Sequence, residues 1–185
     1  AEVAPVDATF ATNGSTVSVI ASVTGKKIDL ASSIKSIANG NHQIAAAVID
    51  DVPAHNTEWA NSLNITELVS TFTTNFPAGQ VRVKNIAKAA SVVDGTVIEP
   101  GQTFSLNDKL GKRTAESGYF KAPVYVGGED TFAEDFGGGI SQFTTTMFNA
   151  AWIAGYKDIS HTPHSIYISR YPMGREATLN YGSID

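Results

Sequence analysis

The sequence has 185 residues, 42% hydrophobic and 17% charged, with a formal net charge of −5 and no cysteine. That balance excludes a basic nucleic-acid footprint and attraction to an anionic membrane surface or acidic wall polymers. The missing cysteines exclude disulfides, thiolate metal sites and thiol catalysis. The length suits one ordinary domain or two small ones, and 16 glycines with 7 prolines point to many turns within mixed α and β structure.

Along the chain, "DATFATNGSTVSVIA" alternates on either side of Asn13-Gly14, a pair that readily takes the positive φ of a type I′ turn, so a hairpin is expected there. "DLASSIKSIANG" places Leu30, Ile34 and Ile37 on one helical face, with Asp29 as N-cap and Gly40 as stop. "HQIAAAVIDDVP", short, apolar and closed by Pro53, reads as a buried strand. The segment "TEWANSLNITELVSTFTT", with Thr57 and Asn64 as caps, reads as a connector with one or two short helical turns. A domain boundary is placed in it, giving residues 1–64 and 65–185.

The second part opens with "QVRVKNIAKAASVVDG", a helix with Val83, Ile86, Ala87 and Ala90 on its face and Gly95 at its end. "TVIEPGQTFSLN" follows as a strand, a Pro100-Gly101 turn and a second extended piece. "APVYVGGEDTFAED" forms a hairpin around Gly127-Gly128 and leads to Gly137, Gly138 and Gly139. The helix after them carries Phe143, Met147, Phe148, Ala151 and Trp152 on one face and stops at Gly155. "HSIYISRY" and "EATLNYG" alternate like half-buried strands. The expected fold class is α+β: a small hairpin-helix-strand domain, then a larger mixed domain. Beginning at Ala1 and lacking a long apolar run, the sequence is expected to hold neither signal peptide nor spanning helix.

Three strings, "KNIAKAASVVDGTVIEPGQTFSLNDKLGKRTAESGYFKAPVY", "GGGISQFTTTMFNAAWIAG" and "HTPHSIYISRYPMGREATLNYGSID", resemble the VanW domain, named after an accessory protein of B-type vancomycin resistance clusters. The resemblance covers roughly residues 70 to 185 and keeps the family's motif order. Residues 1 to about 64, through "VDATF", "GKKIDLASSIKSI" and "VPAHNT", are similar to the later part of a peptidoglycan-binding domain found before VanW domains and before some L,D-transpeptidases. The resemblance implies a Gram-positive cell-envelope protein outside the membrane, with peptidoglycan or a peptidoglycan precursor as partner. Charge, the lack of a long apolar run and the lack of nucleotide or metal motifs lead to the expectation of no nucleic-acid partner, no membrane contact within this sequence and no cofactor; any membrane anchor would lie outside it. Two positions depart from the family pattern: Ser141 stands where many members carry Cys, and Glu176 where many carry Asp.

A strand, a glycine turn, a helix opening on Cys or Ser and a later His are also the parts of papain-like folds. On that analogy Ser141 is a nucleophile at the positive end of a helix, near backbone amides of Gly138 and Gly139 that can hold an oxyanion. His164, or else His161, is its base, and Glu176 orients the imidazole. The plainer reading makes Ser141 the helix N-cap, and the two readings are compatible. The glycine triplet equally suits close strand-to-helix packing, and without a following Lys-Ser/Thr it is no nucleotide cradle. His161 and His164 share "HTPH", but Pro163 and the lack of a third ligand spacing argue against a metal. His42 and His55 read as surface or loop residues.

Arg113 and Arg175 match family positions; each is read first as a structural ion pair, with Glu176 or Asp135, and second as a fork for a stem-peptide carboxylate. Tyr119, Tyr125, Tyr167 and Tyr171 are candidates to line a sugar groove, Tyr167 and Tyr171 foremost, while Trp152 is assigned to the core. The leading expectation is a module that associates with peptidoglycan or its precursors. The alternatives are an acyl-transfer or amide-cleaving enzyme using Ser141, His164 and Glu176, and a structural spacer of a surface protein.

Overall fold

A computed structural model describes residues 1–40, 46–126 and 131–185; His42 and the Gly127-Gly128 turn lie outside them. The fold is α+β, and the chain divides into two units, Ala1–Leu68 and Val69–Asp185.

In the first unit β1 (Thr9–Asn13) pairs antiparallel with β2 (Thr16–Ile20). Asn13 lies opposite Thr16, so the loop is Gly14-Ser15, one residue later than expected. Gly14, with φ 65°, holds the first loop position, where a type II′ turn favours glycine. Next, β3 (Gly25–Ile28) pairs antiparallel with β4 (Val48–Asp51), and α1 (Leu30–Ala38) lies between them in sequence. Asp29 caps α1 by accepting the Ser32 amide at 3.0 Å.

The buried-strand reading of β4 is corrected: Val48 and Ile49 are exposed, as are Leu30, Ile34 and Ile37 on α1. A two-stranded ribbon has no further layer to cover an apolar face. Helix α2 (Thr57–Ser62) is capped by Asn56, which accepts the Trp59 amide at 2.8 Å. Thr57 is not the cap; its hydroxyl instead accepts the Ser22 amide. Asn64, at φ 52°, follows the last turn of α2, a left-handed position that Asn tolerates.

The second unit runs α3 (Arg82–Val93), α4 (Leu106–Leu110), β5 (Lys121–Val126), β6 (Thr131–Phe136) and α5 (Ile140–Ile153). Strands β5 and β6 are antiparallel, Lys121 opposite Phe136. Ala89, Leu106, Leu110, Tyr119 and Ile140 are buried together, with Phe104, Phe143 and Met147 packed against them. Four expectations are corrected. Helix α3 buries Asn85, Ile86 and Ala89, leaving Ala87 and Ala90 exposed. The chain after Pro100-Gly101 forms α4, capped by Ser105 on the Asp108 amide. Trp152, assigned to the core, is 51% exposed, whereas Tyr119 is buried in the core.

The fourth correction concerns "HSIYISRY" and "EATLNYG", which form no strands. Helix side chains take the backbone groups a neighbouring strand would have bonded. Asn149 of α5 donates to the Arg175 carbonyl at 2.7 Å. Thr145 donates to the Ala177 carbonyl and accepts the Ala177 amide. Asn107 of α4 donates to the carbonyls of Asn180 and Ile184. Polar residues on the buried faces of α4 and α5 thus position the carboxy-terminal segment that carries Glu176.

Candidate functional site

The site is built around the first turn of α5. Gly138 approaches β5 so closely that a Cβ on it would lie 2.2 Å from the Ala122 carbonyl oxygen. Asn85 of α3 holds this junction: fully buried, it donates to the carbonyls of Phe120 at 2.9 Å and Gly138 at 3.0 Å and accepts the Phe120 amide. Gly139, with φ 92°, is the N-cap residue of α5, and no side chain caps the helix. Ser141 is therefore not the cap; it lies one residue inside the helix, half-buried, and its hydroxyl bonds to neither imidazole.

His164 and Glu176 do meet: His164 Nδ1 is 2.8 Å from Glu176 Oε2. Burial pulls the imidazole pKa below its usual value, outweighing the opposing pull of Glu176. The ring is thus neutral at pH 7, and because a carboxylate only accepts, the proton sits on Nδ1. Nε2 is left as an acceptor, without a hydrogen bond among the described residues. The ring stacks on Tyr171 with centroids 5.5 Å apart. His161 is engaged differently: it stacks on Phe148 at 4.1 Å, and its Nε2 donates to the Glu176 carbonyl at 2.6 Å. Both histidines therefore fix Glu176, one through its side chain and one through its backbone. Among the described residues no three His, Asp or Glu side chains form a metal-binding group.

Neither Arg113 nor Arg175 forms the expected ion pair. Glu176 is taken by His164, and Asp135 accepts the Phe136 amide. Arg113 donates to Asn107 Oδ1 at 2.7 Å and to the Gly111 carbonyl, and its stem packs against Gly137. Arg175 lies over the rings of Phe72 and Trp152. Tyr171 is buried, while Tyr167 is 69% exposed. Tyr125 is half-buried, edge-on to Phe132.

The structure brings in residues the sequence reading passed over. Arg82 lies against Gly139. Arg170 donates Nε to Gln142 Oε1 at 3.0 Å, and its guanidinium covers the Tyr171 ring. Gln142, fully buried, donates in turn to Thr74 at 2.6 Å. A signal for Gln142 existed: with Thr145 and Asn149 it recurs at helical spacing, a polar stripe on the face opposite the one assigned to the core. No local pattern marks Arg82 or Arg170. An apolar cleft of about 110 Å³ is lined by Met147, Phe148 and His161 but reaches neither Ser141 nor the arginines.

Residues 81–185, more than half of the chain, match the family described as "VanW like protein". Residues 1–43 match the family described as "Putative peptidoglycan binding domain". The chain is also similar to "Uncharacterized protein YoaR" of Bacillus subtilis (strain 168), 39% identical over 104 residues, a stretch that is 56% of this chain and 34% of that relative's length. No solved structure matches.

Proposed function

Because this chain belongs to the VanW-like family, we propose that it is an extracellular module that binds peptidoglycan or its precursors, residues 1–43 contributing wall affinity and the amino end of α5 forming a binding site. The two family matches support the wall-associated part. The observation that carries binding over chemistry is the state of Ser141. A serine hydroxyl stays protonated at pH 7 unless a base takes its proton, and here no imidazole bonds to it. In this reading His164 and Glu176 shape the site.

One observation favours the second reading, acyl transfer or amide cleavage. The His164–Glu176 contact matches the base-orienting pair of a triad and leaves Nε2 free to accept a proton. That reading requires Ser141 and His164 to come within reach of each other on substrate binding.

The test is co-sedimentation of the chain with purified peptidoglycan, followed by mass spectrometry of the released muropeptides, for the wild type and Ser141→Ala. Retention with an unchanged muropeptide profile in both is the expected result. New fragments or crosslinks that vanish with Ser141→Ala would establish a serine-dependent enzyme. Absence of retention and of turnover would leave a structural spacer.

A further inference from the structure

We infer that Arg82 and Arg170 form an oxyanion-binding site over the first turn of α5, taking a carboxylate or a phosphate. This deepens the wall-binding reading and rests on it only for the source of that group.

The two arginines reach one helical turn from different elements. Arg82 begins α3 and lays its side chain against Gly139, where a Cβ would lie 2.6 Å from Arg82 Cβ. Arg170 comes from the loop before Tyr171 and holds Gln142 in the first turn of α5. Each guanidinium is fixed at Nε by a glutamine oxygen: Gln142 at 3.0 Å for Arg170 and Gln80 at 2.7 Å for Arg82. Among the described residues, of the terminal nitrogens only Arg170 Nη2 is engaged, with the Tyr171 hydroxyl at 3.3 Å. Forks anchored at Nε with three of their four terminal nitrogens unbonded among the described residues are prepared for an oxyanion.

The local charge balance points the same way. Among the described residues neither arginine has an ion-pair partner, and the nearby Glu176 gives its Oε2 to His164. Burial and the charge of Arg170 together lower the Arg82 pKa, so the two cations share one field, which the single negative charge of Glu176 leaves net positive. A bound anion would balance it. The uncapped start of α5 adds its own preference for negative charge. A purely structural role would rest on the glutamine bonds and on ring stacking, Arg82 over Phe76 and Arg170 over Tyr171, and would need no anion.

The whole chain, labelled with nitrogen-15, is titrated separately with inorganic phosphate, N-acetyl-dialanine and the C-terminal amide of that peptide. The amides of Gly139, Ser141 and Gln142 are followed by NMR. Saturable shifts are expected with phosphate or the free acid and not with the amide. Affinity should fall by about tenfold or more in Arg82→Gln and in Arg170→Gln, and hold in Lys157→Gln, an exposed residue elsewhere. Should either glutamine variant unfold, Arg82→Lys and Arg170→Lys replace it; they keep the charge without the fork, and weakened binding is again expected. A response to phosphate alone identifies a phosphate-bearing precursor as the source, and a response to the free acid alone a stem-peptide carboxylate. No saturable shift, or equal shifts in the arginine variants, would overturn the site. If that happens while the chain still sediments with peptidoglycan, only the oxyanion site is lost. If sedimentation fails while oxyanion binding holds, the wall reading falls and the site stands.

Discussion

His164 donates its Nδ1 proton to Glu176 across 2.8 Å while burial keeps the imidazole neutral. The folded pKa lies below the unfolded value of about 6.5, so between the two the unfolded chain binds more protons. Stability tied to this residue is then complete above about pH 6.5 and is lost as pH falls toward the folded value. Urea midpoints measured from pH 7.5 down to 5 should decline, and the decline should flatten in His164→Gln. An unchanged slope in that variant would remove His164 as its source.

Asn85 satisfies two carbonyls and one amide at the turn that launches α5. Asn85→Ala removes the partner of the Gly138 carbonyl and of the Phe120 amide, at about 1 to 3 kcal/mol each, while the Phe120 carbonyl keeps the Gly137 amide. The expected destabilisation is about 3 kcal/mol or more, read from urea unfolding. A loss below about 1 kcal/mol would show that these bonds do not hold the turn.

Two glycine-to-alanine changes should separate crowding from backbone conformation. At Gly155, with φ 85°, an added Cβ meets nothing within 4 Å, so the cost is that of a left-handed alanine, about 1 to 2 kcal/mol. At Gly138 the Cβ would press into the Ala122 backbone, which cannot yield as a flexible side-chain end can. Thermal melts should show Gly138→Ala far below Gly155→Ala; the reverse order would contradict the close approach to β5.

Ser141 lies inside α5 and caps nothing. Ser141→Ala should change stability by no more than about 0.5 kcal/mol. A loss of about 1 kcal/mol, the usual cost of removing an N-cap, would restore the capping role. Denaturation of the two proteins side by side decides it.

Much of the local structure was legible because it is written in neighbouring residues. Asp29 caps α1 as its position before the apolar run suggested, and the β1–β2 hairpin forms around Gly14, although its loop slid by one residue. Partners distant in sequence were not legible. "EATLNYG" has the alternation of a strand, but Thr145 and Asn107 occupy the backbone groups of Ala177 and Asn180 before any strand does. Burial of Trp152 was wrongly inferred because spacing identifies a helical face without revealing what lies opposite. In the site, His164 and Glu176 carried a motif signal. Arg82 and Arg170 carried none, since only the folded chain brings them to the same turn.

The buried side of α5, lined by Gln142, Thr145 and Asn149, makes this helix a key cut for one lock. Greasy helices can roll a few degrees and repack, since dispersion contacts have little direction. Hydrogen bonds to Thr74, Ala177 and Arg175 tolerate no such roll, because their strength falls steeply with misalignment. The azimuth of α5 is therefore set, and Gly139 and Ser141 present a rigid rim to whatever approaches it.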